Sequence, residues 1–130
     1  MTDQKRDRVL VVDDAANLRE LLTLLLETED DFEVAGTARD GEEAVLLAAR
    51  EQPSIVLLDL AMPVMDGMQA LPRLRGILPD AVILVFSAYD QEEMAKESLE
   101  SGADAYLEKG STVTQLVDLL RTLRARKASS

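Results

Sequence analysis

The stretch Ile55-Val56-Leu57-Leu58-Asp59 decides the fold of this chain, because four consecutive apolar residues end in a carboxylate. Such a run is typical of a strand buried on both faces, as in a parallel sheet covered by helices. Two similar runs lie on either side of it, at Val9-Leu10-Val11-Val12 and at residues 81–86. Residues 32–36 and 103–107 are more polar and are predicted to be strands nearer the sheet edges.

Amphipathic segments separate these strands, and four of them open on a residue that can cap a helix. Each cap has an acid or amide three positions later, which is the spacing of a reciprocal capping pair. The pairs are Asp40 with Glu43, Asp66 with Gln69, Asp90 with Glu93, and Thr112 with Gln115. A further helix should begin just after Asp14. The last helix should turn one apolar face to the sheet, formed by Val113, Leu116, Val117, Leu120 and Leu123. Five strands alternating with five helices predict an α/β fold with a parallel sheet.

The composition limits what the chain can do. Its 130 residues fit a single domain, 1–130, with a core of about 8–126 and a linker or frayed tail at 127–130. A formal charge of −11 disfavours nucleic-acid binding, because phosphate backbones repel an acidic surface. The absence of Cys and His removes disulfides and the usual zinc ligands, and leaves oxygen ligands. The N-terminus has no apolar run long enough for a signal peptide or a membrane span, so we expect a cytoplasmic location without membrane contact.

Polar side chains follow four of the five predicted strands. Asp13 and Asp14 follow the first strand, Asp59 the third, Ser87 the fourth and Lys109 the fifth. Because the carboxyl ends of parallel strands meet at one edge of a sheet, these side chains should converge there. Taken singly, each has an ordinary explanation as a helix cap, a turn residue or a solvated loop charge. Those explanations do not predict their joint placement.

Such a set of side chains points to phosphate chemistry. Three carboxylates close together repel one another, and a divalent cation is the natural way to neutralise them. Mg²⁺ suits a sparse oxygen site, because it keeps several waters and binds few carboxylates together with a substrate phosphate. A lysine can pair with one phosphate oxygen, a hydroxyl can hydrogen-bond another, and a carboxylate can attack phosphorus. Each of these roles has a candidate among the five side chains.

The same residues resemble the receiver domains of two-component response regulators. The resemblance rests on Asp13-Asp14, on residues 57–67 (LLDLAMPVMDG), on Ser87-Ala88 and on residues 102–109 (GADAYLEK), in matching order over nearly the whole chain. It implies a flavodoxin-like, doubly wound sheet with strand order 2-1-3-4-5. It also implies a signalling switch rather than an enzyme, limited to self-phosphorylation from a phosphodonor and slow autodephosphorylation.

The resemblance implies a chemical role for each residue of the set. Asp59 would accept a phosphoryl group from a phosphohistidine on a sensor histidine kinase or a histidine phosphotransfer protein. Asp13, Asp14 and Asp59 would hold Mg²⁺ together with the backbone carbonyl of Ala61. Lys109 would pair with the phosphate.

The resemblance also implies a switch built from Ser87 and Tyr106. Ser87 would move toward a phosphate oxygen and Tyr106 would rotate inward, altering the face formed by the fourth helix, fifth strand and last helix. The output would pass to a partner protein or to a C-terminal output domain. A homodimer could also use the last helix and the leucines of the first helix, although core packing explains those leucines more simply. They are Leu18, Leu21, Leu22 and Leu25.

Three positions depart from the family pattern or leave the signal lifetime open. Gly110 follows Lys109 where many receivers have Pro, often after a cis peptide bond, so we expect a more flexible loop. A cis bond would be costly before glycine, but the sequence leaves the geometry of Lys109–Gly110 open. Ala61 and Tyr89 occupy positions that in the family influence how quickly water removes the phosphate.

Three other functions compete with a phosphorylated receiver. A magnesium-dependent phosphohydrolase that forms an aspartyl phosphate needs an acid two residues after the nucleophile, where this chain has Ala61. A dinucleotide-binding domain needs a Gly-rich loop after the first strand, where residues 13–17 read DDAAN. A scaffolding receiver that is never phosphorylated is disfavoured by the intact acidic set.

Overall fold

The structure is a computed structural model that describes residues 6–62, 64–88 and 92–129. Within these residues five strands form one parallel sheet in the order β2-β1-β3-β4-β5, so the predicted fold class and strand order are confirmed. The elements are β1 Asp7–Val12, α1 Ala16–Glu27, β2 Phe32–Ala38, α2 Gly41–Glu51, β3 Ile55–Leu58, α3 Gly67–Ile77, β4 Val82–Ser87, α4 Glu92–Glu100, β5 Ala105–Glu108 and α5 Val113–Ser129.

Each face of the sheet carries its own hydrophobic core, which explains why the central strands are apolar throughout. Alternate side chains of a strand point to opposite faces, so that Leu10 and Val12 belong to one core and Val9 and Val11 to the other. The first core is completed by residues of α2 and α3, including Ala44, Ala48, Ala70, Leu71 and Leu74. The second is completed by Phe32 and by residues of α1 and α5, including Leu22, Leu26, Leu116, Leu120 and Leu123.

Two of the four predicted capping pairs are formed in both directions, and a third is formed in one direction only. Asp66 and Gln69 bond to each other's backbone amides, and Thr112 and Gln115 do the same. Asp40 accepts from the amide of Glu43, although the carboxylate of Glu43 accepts from Arg39 instead of Asp40. The fourth pair, Asp90 with Glu93, involves a residue outside the described ranges. α1 begins at Ala16, close to the predicted position, without a side-chain cap at Ala15.

Four of the five apolar residues predicted to face the sheet from the last helix are buried. Leu116, Val117, Leu120 and Leu123 are buried, but Val113 is 44% exposed, because it is the first residue of α5 and lies one turn ahead of the part that packs on the sheet. At the other end, α5 extends through residues 127–129 to Ser129, and Lys127 Nζ lies 3.0 Å from Asp104 Oδ1.

The leucines of α1 divide between core and surface. Leu22 is buried and Leu18 packs against the second core, whereas Leu21 is half exposed. Core packing therefore explains Leu18 and Leu22 but not Leu21.

Across the described part of the chain, no helix has the length and apolar character that crossing a membrane requires.

Candidate functional site

The carboxyl edge of the sheet, where the strands end, brings four of the predicted residues together. Asp13, Asp14 and Asp59 each place a carboxylate oxygen within 4.8 Å of the others. Lys109 Nζ lies 2.7 Å from Asp13 Oδ2 and 3.6 Å from Asp59 Oδ1. No other group of three acidic side chains with this spacing occurs among the residues described. The predicted convergence at the strand ends therefore occurs in the fold.

Asp59 is placed by the end of β3 and by the start of α3. Its backbone N–H donates to the carbonyl of Val12 at 2.9 Å, which extends the pairing of β3 with β1. A Cβ at Gly67 would lie only 2.2 Å from the carbonyl oxygen of Asp59, so the first turn of α3 can approach this backbone only with glycine. The side chain of Asp59 is buried, and its Oδ1 accepts from the N–H of Ala61 at 3.4 Å.

Asp13 and Asp14 are adjacent but lie in different environments. Asp13 is buried, its Oδ1 accepts from the N–H of Ala15 at 2.9 Å, and its own N–H donates to Ala38 at 3.0 Å. Asp14 is exposed. One acid of the pair is thus fixed inside the protein while its neighbour faces solvent.

The electrostatics of this edge favour the arrival of a cation. Burial, and after it the nearby charge of Asp13, raises the pKa of Asp59, Lys109 partly opposes both, and the resulting pKa is about 6. For Lys109, burial alone would lower the pKa, but the hydrogen bond to Asp13 and the charge of Asp59 outweigh it, so that its pKa is raised. One ammonium group faces three carboxylates, so the cluster is short of positive charge. Closely spaced carboxylate oxygens with a charge deficit fit a hard divalent cation such as Mg²⁺.

Ser87 and Tyr106 lie on the paired strands β4 and β5. Ser87 is fully buried at the end of β4, and its carbonyl accepts the N–H of Lys109 at 2.8 Å. Tyr106 stands opposite Val85 in the pairing of β5 with β4 and packs, partly buried, against the first core. The loop that carries Lys109 is thereby tied directly to the end of β4.

The loops around the site bear on the remaining predictions. No peptide bond in the described ranges is cis, so Lys109–Gly110, whose geometry the sequence left open, is trans. The N–H of Ser111 donates to Glu108 at 3.0 Å, which closes a turn around Gly110. Ala61 is exposed, while Tyr89 lies outside the described ranges.

Sequence reasoning did not single out two residues that shape this edge. Gly67 follows a capping Asp, and only the close approach to Asp59 shows why it must be glycine. Arg19 lies in the first turn of α1, and its Nη1 donates to the carbonyl of Asp13 at 2.7 Å. A charged residue in an amphipathic helix is normally predicted to face solvent, so no local pattern indicated the hydrogen bond of Arg19 to Asp13.

Comparison with known proteins gives one consistent result. Residues 9–121 match the family model described as the response regulator receiver domain. The chain is 39% identical over 113 residues to the chemotaxis protein CheY of Thermotoga maritima, covering 87% of this chain and 93% of that protein. It is 43% identical over 113 residues to a protein-glutamate methylesterase/protein-glutamine glutaminase of Caldanaerobacter subterraneus subsp. tengcongensis, covering 85% of this chain but only 31% of that enzyme.

The solved structures agree with the sequence relatives. The CheY fold in the CheX-CheY-BeF3-Mg²⁺ complex from Borrelia burgdorferi superposes with a TM-score of 0.86 at 29% identity, covering 92% of this chain and 90% of that one. The match of residues 9–121, the five-stranded order and the acidic edge all lead to one assignment. This chain belongs to the response regulator receiver domains of two-component signalling.

Proposed function

We propose that this domain is a phosphoacceptor switch in which Asp59 takes up the phosphoryl group. The observation that carries the proposal is the buried carboxylate of Asp59, which lies 3.6 Å from the ammonium of Lys109 within a cluster of three acids. A pKa of about 6 leaves most of Asp59 ionised at neutral pH, and only the ionised form is a nucleophile.

In the proposed reaction, a carboxylate oxygen of Asp59 attacks the phosphorus of a phosphohistidine on a sensor histidine kinase or a histidine phosphotransfer protein. The new P–O bond forms as the P–N bond breaks, and the histidine nitrogen keeps the electron pair of that bond. Mg²⁺, when bound by Asp13, Asp14, Asp59 and the carbonyl of Ala61, supplies positive charge that reduces the repulsion between the carboxylates and the incoming phosphate.

Lys109 completes the charge arrangement. Its ammonium is held by Asp13 at 2.7 Å and is within reach of Asp59, so a phosphoryl group on Asp59 would meet a cation already in place. A raised pKa keeps this lysine charged throughout the neutral range. Ala61 leaves the site without a second carboxylate two residues beyond Asp59, so we propose a stoichiometric switch with slow autodephosphorylation rather than an enzyme of rapid turnover.

We further propose that Ser87 and Tyr106 transmit the change. The bond between the carbonyl of Ser87 and the amide of Lys109 supports this route, because it links the end of β4 to the phosphate-pairing loop. Tyr106 is only partly buried on β5 and packs against the first core, so its ring lies between the core and the surface of the domain. The output surface would be the face formed by α4, β5 and α5.

The partners of the switch are also proposals. The related CheY from Borrelia burgdorferi was crystallised with CheX, BeF3 and Mg²⁺, which supports a phosphoryl-mimic and metal site in this chain as well. The output would reach a partner protein or a C-terminal output domain, and a homodimer remains an alternative way to use the exposed Leu21. We expect no direct nucleic-acid binding by this domain and a cytoplasmic location.

Labelling with a small phosphodonor tests the proposal. Incubation with radioactive acetyl phosphate and Mg²⁺ should introduce one alkali-labile phosphate per chain, and chelation of Mg²⁺ should prevent it. Asp59→Asn should take up no label, whereas the control Asp80→Asn, which alters an exposed acid in the turn before β4, should be labelled like wild type. Label that persists in Asp59→Asn would exclude Asp59 as acceptor, and turnover of many phosphate esters would favour a hydrolase.

A further inference from the structure

Arg19 makes an unusual contact for a cation in the first turn of a helix. The positive end of the helix dipole lies there, so an arginine is electrostatically unfavourable at this position and acidic residues are preferred. α1 has no acidic residue in its first turn. The guanidinium of Arg19 instead bends back over the turn between β1 and α1, and Nη1 donates to the carbonyl of Asp13 at 2.7 Å. This contact gives the side chain a definite partner at the acidic edge.

The carbonyl that Arg19 binds belongs to the peptide unit joining Asp13 to Asp14. Asp13 does not depend on this bond alone, because its carboxylate is also held by Ala15 and Lys109. Asp14 differs, since its exposed side chain has no hydrogen bond or ion pair with any other part of the described chain. Its carboxylate nevertheless stays within 4.8 Å of those of Asp13 and Asp59. The backbone must therefore set the position of Asp14.

We propose that Arg19 is a positioning residue for the Mg²⁺ site and that it acts through Asp14. By fixing the peptide between Asp13 and Asp14, the guanidinium fixes the direction in which the Asp14 carboxylate leaves the backbone. Mutation of a partner that orients a metal ligand commonly lowers metal affinity by about 10- to 100-fold. This inference rests on the proposed function, because it requires Asp14 to be a ligand.

The charge of Arg19 acts in the opposite direction to its hydrogen bond. A cation bound to the carbonyl of Asp13 repels Mg²⁺ at the neighbouring site, so removal of the charge alone should tighten Mg²⁺ binding. Removal of a positioning bond should weaken it. The sign of the change in Mg²⁺ affinity thus separates the two roles.

Magnesium titrations of the whole domain, followed by amide chemical shifts or calorimetry at constant ionic strength, test the proposal. Arg19→Ala should raise the Kd for Mg²⁺ on the order of tenfold, the lower end for a residue that orients a ligand. Arg19→Lys keeps a donor and should recover part of this loss. The control Glu20→Gln alters the next residue of α1, which lines the same surface groove, and should leave the Kd within about twofold of wild type.

A double-mutant cycle tests whether Arg19 acts through Asp14. In an Asp14→Asn background, Arg19→Ala should cause little further loss of Mg²⁺ affinity. An unchanged or lowered Kd in Arg19→Ala would overturn the positioning role, and so would an equal loss in the Asp14→Asn background. If Arg19→Ala does not fold, Arg19→Lys against Asp14→Asn gives the same cycle with a smaller amplitude. Failure of the wild-type domain to bind Mg²⁺ would instead refute the proposed function itself.

Discussion

The two ends of the strands differ in how they hold an acid: Asp59, at the carboxyl edge, is buried, and Asp104, at the amino edge, is partly buried. At the carboxyl edge, Asp59 lacks sufficient positive charge and its pKa is raised to about 6 by burial and by Asp13. At the amino edge, where the strands begin, burial alone would also raise the pKa of Asp104. Hydrogen bonds from the amide of Ile83, from Lys127 and from Arg75 outweigh burial and lower that pKa.

The difference is one of pairing rather than of residue type. Asp104 Oδ2 lies 2.8 Å from Arg75 Nη2, its Oδ1 lies 3.0 Å from Lys127 Nζ, and Oδ2 also accepts from Ile83 at 2.8 Å. This carboxylate links α3, β4 and α5, and its negative charge is balanced by two cations of the protein. Within the described ranges, the partners of the Asp59 carboxylate are Lys109 at 3.6 Å and the long hydrogen bond from the amide of Ala61. A carboxylate that is paired with cations of the protein stabilises the fold. A carboxylate with too little positive charge nearby can instead bind a cationic ligand.

Of the substitutions considered, removal of the Asp104 carboxylate at the amino edge should destabilise the fold most. Asp104→Asn should lower the free energy of unfolding by about 2 kcal/mol, because Arg75 and Lys127 lose a shared carboxylate in a partly buried site. Urea unfolding followed by circular dichroism measures this change. The control Asp118→Asn removes an exposed acid from α5 and should alter stability by less than about 0.5 kcal/mol. Equal values for the two variants would contradict the assigned role of Asp104.

A smaller effect of opposite sign is expected at the carboxyl edge. Without Mg²⁺, Asp59→Asn should raise the free energy of unfolding by on the order of 1 kcal/mol, because it removes a buried charge next to Asp13. Adding Mg²⁺ should stabilise the wild type more than the variant, because a ligand that binds the native state shifts the unfolding equilibrium. Destabilisation by Asp59→Asn in the absence of Mg²⁺ would show that the native charges at this edge are already balanced.

The pH dependence of stability should have opposite signs at the two edges. The pKa of Asp59 is higher in the folded state, so without Mg²⁺ its contribution is most favourable below about pH 4 and declines as the pH rises toward about 6. The pKa of Asp104 is lower in the folded state, so its contribution is present above about pH 4 and is lost as the pH falls further. Stability curves of the wild type minus each variant isolate the two contributions. If the two difference curves changed with pH in the same direction, the proposed difference between Asp59 and Asp104 would be refuted.

The sequence predicted those features of the fold and site that follow from local pattern and strand topology. The runs around Leu10 and Leu57 are apolar at every position because both faces of the sheet are covered. Asp13 and Asp59 were predicted to meet because parallel strands end at one edge. These inferences require no knowledge of side-chain conformation.

The features that the sequence did not predict depend on distances between segments far apart in the chain. Lys109 lies closer to Asp13 than to Asp59, and its long flexible side chain made either partner possible. Val113 has the correct helical spacing, yet it lies ahead of the part of α5 that packs on the sheet. The hydrogen bond of Arg19 to Asp13 and the close approach of Gly67 to Asp59 depend on the conformation of the loops after β1 and β3. The spacing of residues in the sequence does not determine that conformation.

Chemical mapping of the phosphorylated residue tests the central claim most directly. Reduction of an aspartyl phosphate with borohydride converts that residue to homoserine, which peptide mass spectrometry locates in the chain. After treatment with acetyl phosphate and Mg²⁺, we predict homoserine at position 59 alone, and none when Mg²⁺ is chelated. Homoserine at another acid, or at position 59 to the same extent without Mg²⁺, would contradict the account of the carboxyl edge as a magnesium-dependent phosphoacceptor site.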